Sequence, residues 1–142
     1  MCDLRATDCG SCPDFVTAFV RGLTERLDVR LVLLFGSQAR GDAHRTSDYD
    51  LFVLADDLPH DYWARQDTLR RDKPLWVDVV GFTVREAQEL IHRGLILDAL
   101  LDGVLLWGDK VLLESLQERA QQHLSRYNLR KTPWGYFKRE AA

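Results

Sequence analysis

Three short apolar runs constrain the fold of this chain more than any other feature of its sequence. They span residues 30–35, 49–55 and 75–82. Each run is shorter than a typical helix and mostly apolar, as expected of a buried strand. The segments between and around them carry helical patterns, so strands and helices are predicted to alternate through one α/β body.

The helical segments are defined by apolar periodicity and by capping residues. Helices are predicted over 13–27, 62–71, 83–94 and 109–127, with a short helix and a fourth strand over 95–109. The third of these opens with Thr83 and Glu86 at the spacing of a capping box, and Gly94 is expected to close it as a C-cap. The tail after Thr132 has no clear pattern.

The length of 142 residues is that of one compact domain, which we assign to 13–142. Residues 1–12 are predicted to be a flexible arm, and they contain all three cysteines of the chain: Cys2, Cys9 and Cys12. The favoured interpretation is unbonded thiols. A metal site or a disulfide shared between subunits is the alternative.

Charge and hydropathy exclude several classes of function. The formal net charge of −3 leaves no broad cationic surface for a nucleic-acid backbone, so nucleic acid is not expected as the main partner. The longest apolar run, LVLLF, is far shorter than a membrane helix, and the amino terminus lacks the apolar centre of a signal peptide. We therefore expect a cytoplasmic protein with no membrane partner.

Two aspartates, Asp48 and Asp50, lie one residue apart at the start of the second apolar run. Side chains at i and i+2 of a strand share a face, about 7 Å apart along the chain, so these like charges repel unless a cation lies between them. Asp78 is a third acid, set among apolar residues of the third run, where an uncompensated charge is rare. Carboxylate oxygens of this kind suit Mg²⁺ or Mn²⁺.

A glycine and a serine come directly after the first run. Gly36 would let the backbone approach a ligand closely, and Ser37 would open a helical turn whose free N–H groups attract phosphate. Arg40 lies nearby, where it would either stabilise the negative charge of phosphate or pair with the carboxylate of Asp48 or Asp50. Phosphate-binding and metal-binding features are thus predicted side by side.

The stretch GSQARGDAHRTSDYDLFVL, which begins at Gly36, resembles the signature of the polymerase-β-like nucleotidyltransferase superfamily: Gly-Ser, ten residues, then Asp-x-Asp. It is most similar to the minimal, MNT-type domains. The resemblance implies a mixed β-sheet flanked by helices. It also implies catalytic metals bound by Asp48 and Asp50 together with an acid from a later strand, a position that Asp78 fills.

The activity implied by the resemblance is transfer of a nucleoside monophosphate, with AMP favoured, from ATP or another NTP to an acceptor hydroxyl. Two Mg²⁺ ions, or Mn²⁺, would be held by the three acids, with Asp78 as the candidate general base. Gly36, Ser37 and Arg40 would bind the nucleotide. The expected partner is a HEPN-type toxin, for which this chain would be the antitoxin. Self-association into a homo-oligomer is left open.

Two other functions remain open from the sequence. One is an interaction module that binds nucleotide and neutralises or scaffolds a partner without turnover. The other is a small-molecule nucleotidyltransferase of the aminoglycoside-modifying type, although such enzymes generally carry extra helical domains that this chain has little length to supply.

Two groups of side chains outside the motif have simpler structural interpretations. A cluster of basic residues is expected on a solvated helix face: Arg65, Arg70, Arg71 and Lys73. Aromatic residues near the end of the chain are expected to cover the core or a subunit contact: Trp107, Trp134, Tyr136 and Phe137.

Overall fold

A computed structural model describes residues 12–36, 39 and 48–139 of the chain. Four strands form one sheet in the order β3-β2-β1-β4, and two further strands form a separate hairpin. The strands are β1 (Val29–Phe35), β2 (Tyr49–Ala55), β3 (Val77–Phe82), β4 (Val104–Gly108), β5 (Leu129–Thr132) and β6 (Gly135–Lys138). The three apolar runs of the sequence are thus strands, as predicted, and they are adjacent in the sheet.

Five helices are described in full. They are α1 (Asp14–Arg26), α2 (Tyr62–Arg70), α3 (Val84–Glu89), α4 (Gly94–Asp102) and α5 (Lys110–Arg126). Helices α1 and α2 pack on one face of the sheet, and α3, α4 and α5 pack on the other. This mixed sheet between two helical layers confirms the predicted fold class.

Strand directions are set by the connections. β1 pairs antiparallel with both β2 and β4, whereas β2 and β3 are parallel and are connected through α2. A parallel pair needs a crossover connection of this kind, because the chain must return to the end at which the first strand began. The amino-terminal ends of β2 and β3 therefore lie at the same edge of the sheet as the carboxy-terminal end of β1.

Alternate residues of each strand enter two separate cores. One core combines α1 and α2 with strand residues such as Leu51 and Val53, and the other combines α3, α4 and α5 with Phe52 and Leu54. All four of these β2 side chains are fully buried. Burial on both faces explains why the strand is almost uninterrupted by polar residues after Asp50.

The boundary between α3 and α4 differs from the prediction. The capping box is confirmed, because the Thr83 hydroxyl accepts from the Glu86 amide while the Glu86 carboxylate accepts from the Thr83 amide. Gly94, however, is the first residue of α4 and not a C-cap, and α3 already ends at Glu89. The apolar stripe of Ile96, Leu97 and Leu100 belongs to a new helix on the sheet, which the chain reaches by turning after Leu90.

Arg65 corrects the expectation of a solvated basic cluster. Its guanidinium donates to both carboxylate oxygens of Glu86, at 2.8 and 3.1 Å, and to the carbonyl of Pro59. The side chain is only 12% exposed. Arg70 and Arg71 are exposed as predicted, but Arg65 ties α2 to the start of α3. Lys73 is also half-buried, and its ammonium donates to the carbonyls of Pro74 and Val77.

The carboxy-terminal tail forms the β5–β6 hairpin. Thr132 stabilises its turn, because the hydroxyl donates to the carbonyl of Gly135 and accepts from the amide of Trp134. Tyr136 packs against the core beneath α4, and Trp107 packs against the opposite core, as expected. Trp134 and Phe137 are exposed, so covering the core is wrong for these two side chains, and the alternative of a subunit contact stays a prediction.

Two further predictions concern the cysteines of the amino-terminal arm and the lack of a membrane-spanning helix. Cys12 is disulfide-bonded, so the favoured interpretation of free thiols is wrong for this residue. The other two cysteines, Cys2 and Cys9, lie outside the described residues. Across the described ranges, no helix has both the length and the apolar character needed to cross a membrane.

Candidate functional site

Asp50 and Asp78 are direct neighbours across the parallel strands β2 and β3. The pairing register sets Tyr49 against Val77, Asp50 against Asp78 and Leu51 against Val79. Residues paired in this way project from the same face of a sheet, and neighbouring strands lie about 4.8 Å apart. The third acid predicted from the sequence therefore lies beside the second.

Asp48 immediately precedes β2 and lies two residues before Asp50. Extended residues at this spacing project to the same side, so all three acids belong to one face and one edge of the sheet. Asp48 and Asp78 are exposed, and Asp50 is half-buried. The acids thus lie at the amino-terminal ends of β2 and β3, where these strands are no longer covered by the core and are exposed to solvent.

Gly36 forms the turn after β1 and lies against Asp50. Phe35, the last residue of β1, is the antiparallel partner of Asp50. Gly36 has a φ of +78°, and a Cβ added to it would lie 2.5 Å from Oδ2 of Asp50. The left-handed backbone favours glycine here, and any side chain would have to displace the carboxylate. The group in close approach here is the chain's own carboxylate, and the approach of a ligand to Gly36 stays a prediction.

Hydrogen bonding between β2 and the segment before β3 extends beyond the pairing of Asp50 with Asp78. The Tyr49 amide donates to the carbonyl of Trp76 at 2.9 Å. Tyr49 projects to the opposite face, where its ring meets Phe15 of α1 edge-on at 5.6 Å. The start of β2, which follows Asp48 and carries Asp50, is therefore held by the segment before β3 and by α1. Trp76, two residues before Asp78, thus lies at the same edge, and no motif in the sequence indicated it.

The side chains of the acids are not gathered around a common point. Asp78 Oδ1 accepts from the amide of Val79 at 3.0 Å. Among the described residues, no set of three or more His, Cys, Asp and Glu side chains is arranged to hold a metal ion. The backbone thus places the three carboxylates on one edge, and the metal site predicted from the sequence stays a prediction.

The remaining predicted site residues cannot be placed. Ser37 and Arg40 lie outside the described residues, as does most of the segment between Gly36 and Asp48. Their roles in phosphate binding therefore remain expectations.

With this geometry in place, comparison with known proteins identifies the family. Residues 20–103 match the sequence profile described as polymerase beta, nucleotidyltransferase, which includes Gly36 and all three acids. The chain belongs to the polymerase beta nucleotidyltransferase family. A comparison with curated protein sequences returns no significant match.

Solved structures similar to this nucleotidyltransferase domain are chains of toxin–antitoxin complexes. One, from a complex with AMP-PNP, is 26% identical with a TM-score of 0.57, over 81% of this chain and 88% of that chain. A chain of the MntA–HepT complex is 23% identical with a TM-score of 0.55, over 80% and 87% of the two chains.

A third similar chain comes from a Shewanella oneidensis complex of a tri-AMPylated HEPN toxin with its MNT antitoxin. It is 21% identical with a TM-score of 0.50, over 81% of this chain and 85% of that chain. The matches below 25% identity show a shared fold. This nucleotidyltransferase domain therefore has the architecture found in MNT antitoxin complexes.

Proposed function

We propose that this chain transfers AMP from ATP to a hydroxyl group on a partner protein, and that the partner is a HEPN-type toxin. The observation that carries the proposal is the pairing of Asp50 with Asp78, with Asp48 two residues away on the same edge. A fold that only needed to bind a partner has no use for three like charges side by side. The similar complexes with AMP-PNP and with an AMPylated toxin support adenylate as the transferred group.

The acids suit divalent metal ions in the chemistry of their donor atoms. Asp48, Asp50 and Asp78 offer only carboxylate oxygens, the ligands that Mg²⁺ and Mn²⁺ prefer over Zn²⁺ or Cu²⁺. When bound, two Mg²⁺ ions would neutralise the triphosphate and lower the pKa of the acceptor hydroxyl. The like charges at the edge repel one another until a cation joins them, so metal binding and nucleotide binding are expected to depend on each other.

In the proposed reaction, the acceptor oxygen forms a bond to the α-phosphorus while the bond between that phosphorus and the bridging oxygen to the β-phosphate breaks. Pyrophosphate leaves, and Asp78 accepts the proton of the acceptor hydroxyl. Gly36, Ser37 and Arg40 hold the β- and γ-phosphates so that attack is in line. Asp78 belongs to the strand at the sheet edge and is exposed, a position from which a large acceptor can be reached.

The described elements beyond the family match favour a protein acceptor. The family match ends at residue 103, and the described residues beyond it form one strand, one helix and a small hairpin. These elements do not form an additional domain that could enclose a small-molecule acceptor. A partner protein that brings its own hydroxyl to the edge completes the site without one, which is the arrangement expected of an antitoxin that modifies its toxin.

The proposal is tested by label transfer. The purified chain is incubated with Mg²⁺, ATP labelled at the α-phosphate and the HEPN-type protein encoded in the same genome. Asp78→Asn is the test variant and Asp67→Asn, an exposed aspartate on α2, is the matched control. We expect label on the partner with wild type and control, and at least a hundredfold less with Asp78→Asn.

Two results would contradict the proposed activity. Absence of label transfer with wild type removes it directly. Equal neutralisation of the toxin by wild type and Asp78→Asn, at equal binding, instead assigns the chain to the class of non-catalytic interaction modules.

A further inference from the structure

Charge is segregated toward the end of this chain. Between residues 119 and 139 there are six Arg and Lys residues and no Asp or Glu, although the chain as a whole has a net charge of −3. These six are Arg119, Arg126, Arg130, Lys131, Lys138 and Arg139. The segment comprises the second half of α5 and the β5–β6 hairpin. One part of an acidic protein is therefore strongly basic.

The inner face of the hairpin is held on α4 by polar contacts. Tyr136 donates its hydroxyl to Asp98 Oδ1 at 3.0 Å, and the Lys131 ammonium pairs with Asp98 at 3.0 Å and with Asp102. A two-stranded hairpin alone is marginally stable in water, so these anchors are what keep it in a defined position. On this inner face, the carboxylates of Asp98 and Asp102 are therefore already paired with Lys131 of the hairpin.

The outer face of the hairpin presents aromatic and cationic groups to solvent. Arg130 and Phe137 are cross-strand partners, and both are exposed. Trp134, in the turn, is 84% exposed, and Phe137 is 51% exposed. At the end of α5, Arg126 lies over the ring of Tyr127, at 5.5 Å, and Tyr127 is also exposed. Aromatic residues and arginines in this arrangement are typical of the centres of protein interfaces.

The hairpin lies on the same face of the sheet as the three acids. Helix α4, to which it is anchored, covers the face that includes Phe52, two residues along β2 from Asp50. Asp102 ends α4 and leads into Val104, which pairs with Leu34, one residue before the partner of Asp50. The Lys131 anchor is thus at the end of the sheet where the acids lie.

We propose that the outer face of the β5–β6 hairpin, with the end of α5, is the docking surface for the acceptor protein. This rests on the proposed function. The partner surface that fits is acidic around an apolar centre, because Trp134 and Phe137 offer apolar area between arginines. A partner that docks here lies beside the three acids, so the same binding event brings its acceptor hydroxyl to them. Asp98 and Asp102 already pair with Lys131, which lowers the cationic charge available to a nucleic-acid backbone as the occupant.

The experiment measures partner affinity and label transfer separately. Binding of the HEPN-type protein is followed by fluorescence anisotropy with Trp134→Ala and Arg130→Glu. The matched controls are Trp63→Ala and Arg70→Glu, exposed residues of the same types on α2. We expect each test variant to bind roughly tenfold more weakly or worse, and each control to bind like wild type.

Salt dependence separates the two contributions of the surface. Raising the salt from 50 to 200 mM should weaken wild-type binding, since exposed charges are screened over about 10 Å at 0.1 M. Arg130→Glu should reduce that dependence, while Trp134→Ala should keep it and lower affinity at every salt concentration. Circular dichroism and thermal unfolding verify that both variants remain folded, as expected for exposed side chains.

Several outcomes would overturn the docking surface, and they differ from those that overturn the activity. Unchanged partner affinity in both test variants removes the hairpin from the interface even if label transfer is intact. Hairpin-dependent binding of a twelve-residue oligouridylate instead of the protein reassigns the surface to nucleic acid. Hairpin-dependent self-association in sedimentation experiments reassigns it to a second copy of this chain. If partner binding depends on the hairpin but no label is transferred, the docking surface stands and the activity fails.

Discussion

Gly36 and Asp50 are in close contact: a Cβ added at position 36 would lie 2.5 Å from Oδ2 of the carboxylate, so any larger residue must displace that side chain. The turn after β1 and the half-buried acid of β2 are therefore one structural unit. In the proposed reaction the turn holds phosphate and Asp50 holds metal. The contact sets the distance between the phosphate-binding turn and the metal-binding carboxylate. Mutations at this contact are therefore expected to affect activity strongly.

Gly36→Ala is expected to displace Asp50 and lower label transfer about a hundredfold, the usual effect of moving a catalytic group by about 1 Å. The positive φ adds a destabilisation of about 1–2 kcal/mol. Label transfer and thermal unfolding measure the two effects. Gly94→Ala is the matched control, since the nearest atom to its added Cβ is 4.0 Å away. Full activity in Gly36→Ala would show that the contact has no catalytic role.

Metal removal should abolish nucleotide binding. With Mg²⁺ and a hundredfold excess of AMP-PNP over its Kd, the wild-type chain should gain about 2.7 kcal/mol of stability, read as a rise in Tm. EDTA, or Asp48→Asn with Mg²⁺ present, should remove the gain because the triphosphate charge is then uncompensated. An undiminished gain in EDTA would rule out metal-dependent nucleotide binding. Asp67→Asn should respond like wild type.

The pair of Arg65 and Glu86 should make stability sensitive to acid. Burial alone raises the pKa of Glu86, but hydrogen bonds from Arg65 and from the Thr83 backbone outweigh it, and the net effect lowers this pKa below its usual range. Because the folded-state pKa is the lower one, the stabilisation is present above about pH 4.5 and is lost as pH falls through the folded value.

Urea unfolding between pH 3 and 7 tests this prediction. Glu86→Gln should be about 2–4 kcal/mol less stable at pH 7, because Arg65 keeps its charge and loses its partner, and should lose less stability on acidification. Glu89→Gln, which removes an exposed ion pair with Arg85, should change stability by less than about 0.5 kcal/mol. Parallel pH profiles for wild type and Glu86→Gln would contradict the assignment.

The hairpin anchor should weaken in alkali. Burial and the nearby Asp98 raise the pKa of Tyr136. For Lys131, burial alone lowers the pKa, but the hydrogen bonds to Asp102 and Asp98 outweigh it and raise the pKa. Groups with a raised folded-state pKa contribute stability below their ordinary values, near 10, and that stability is lost as pH rises further.

Tyr136→Phe removes the hydroxyl that donates to Asp98. It should cost about 0.5–1.5 kcal/mol at pH 8 and make the fall in Tm between pH 9.5 and 11 shallower. Tyr127→Phe, on an exposed tyrosine, is the control and should leave the profile unchanged. An identical alkaline profile in Tyr136→Phe would place the loss of stability elsewhere.

The sequence predicted the local structure well because strong local signals determine it. The apolar run of β2 and the capping box of Thr83 and Glu86 correspond to observed features. The pairing of Asp50 with Asp78 is different in kind. It joins residues 28 positions apart through a parallel register that no local pattern encodes, and only the family resemblance indicated it.

The errors have a common physical origin in tertiary contacts. Gly94 looked like a C-cap because glycine commonly ends helices, yet α4 begins there so that its apolar stripe can cover the sheet. Arg65 looked solvated because its periodicity is that of an exposed face, yet Glu86 from another helix pairs with it. Of the two roles predicted for Trp134, covering the core is wrong, since nothing local distinguishes an aromatic residue that packs from one that stays exposed.

In the described part of the chain, Asp78 belongs to the outermost strand of the sheet, and its neighbour on the inner side is Asp50. An acid in the middle of a central strand, covered by helices on both faces, would be reachable only through a channel, which admits small molecules and excludes folded chains. Because Asp78 lies in the outermost strand, that size limit does not apply to its partners. Discrimination among substrates must then come from surfaces away from the reacting atoms, so the chemistry and the choice of target can evolve independently.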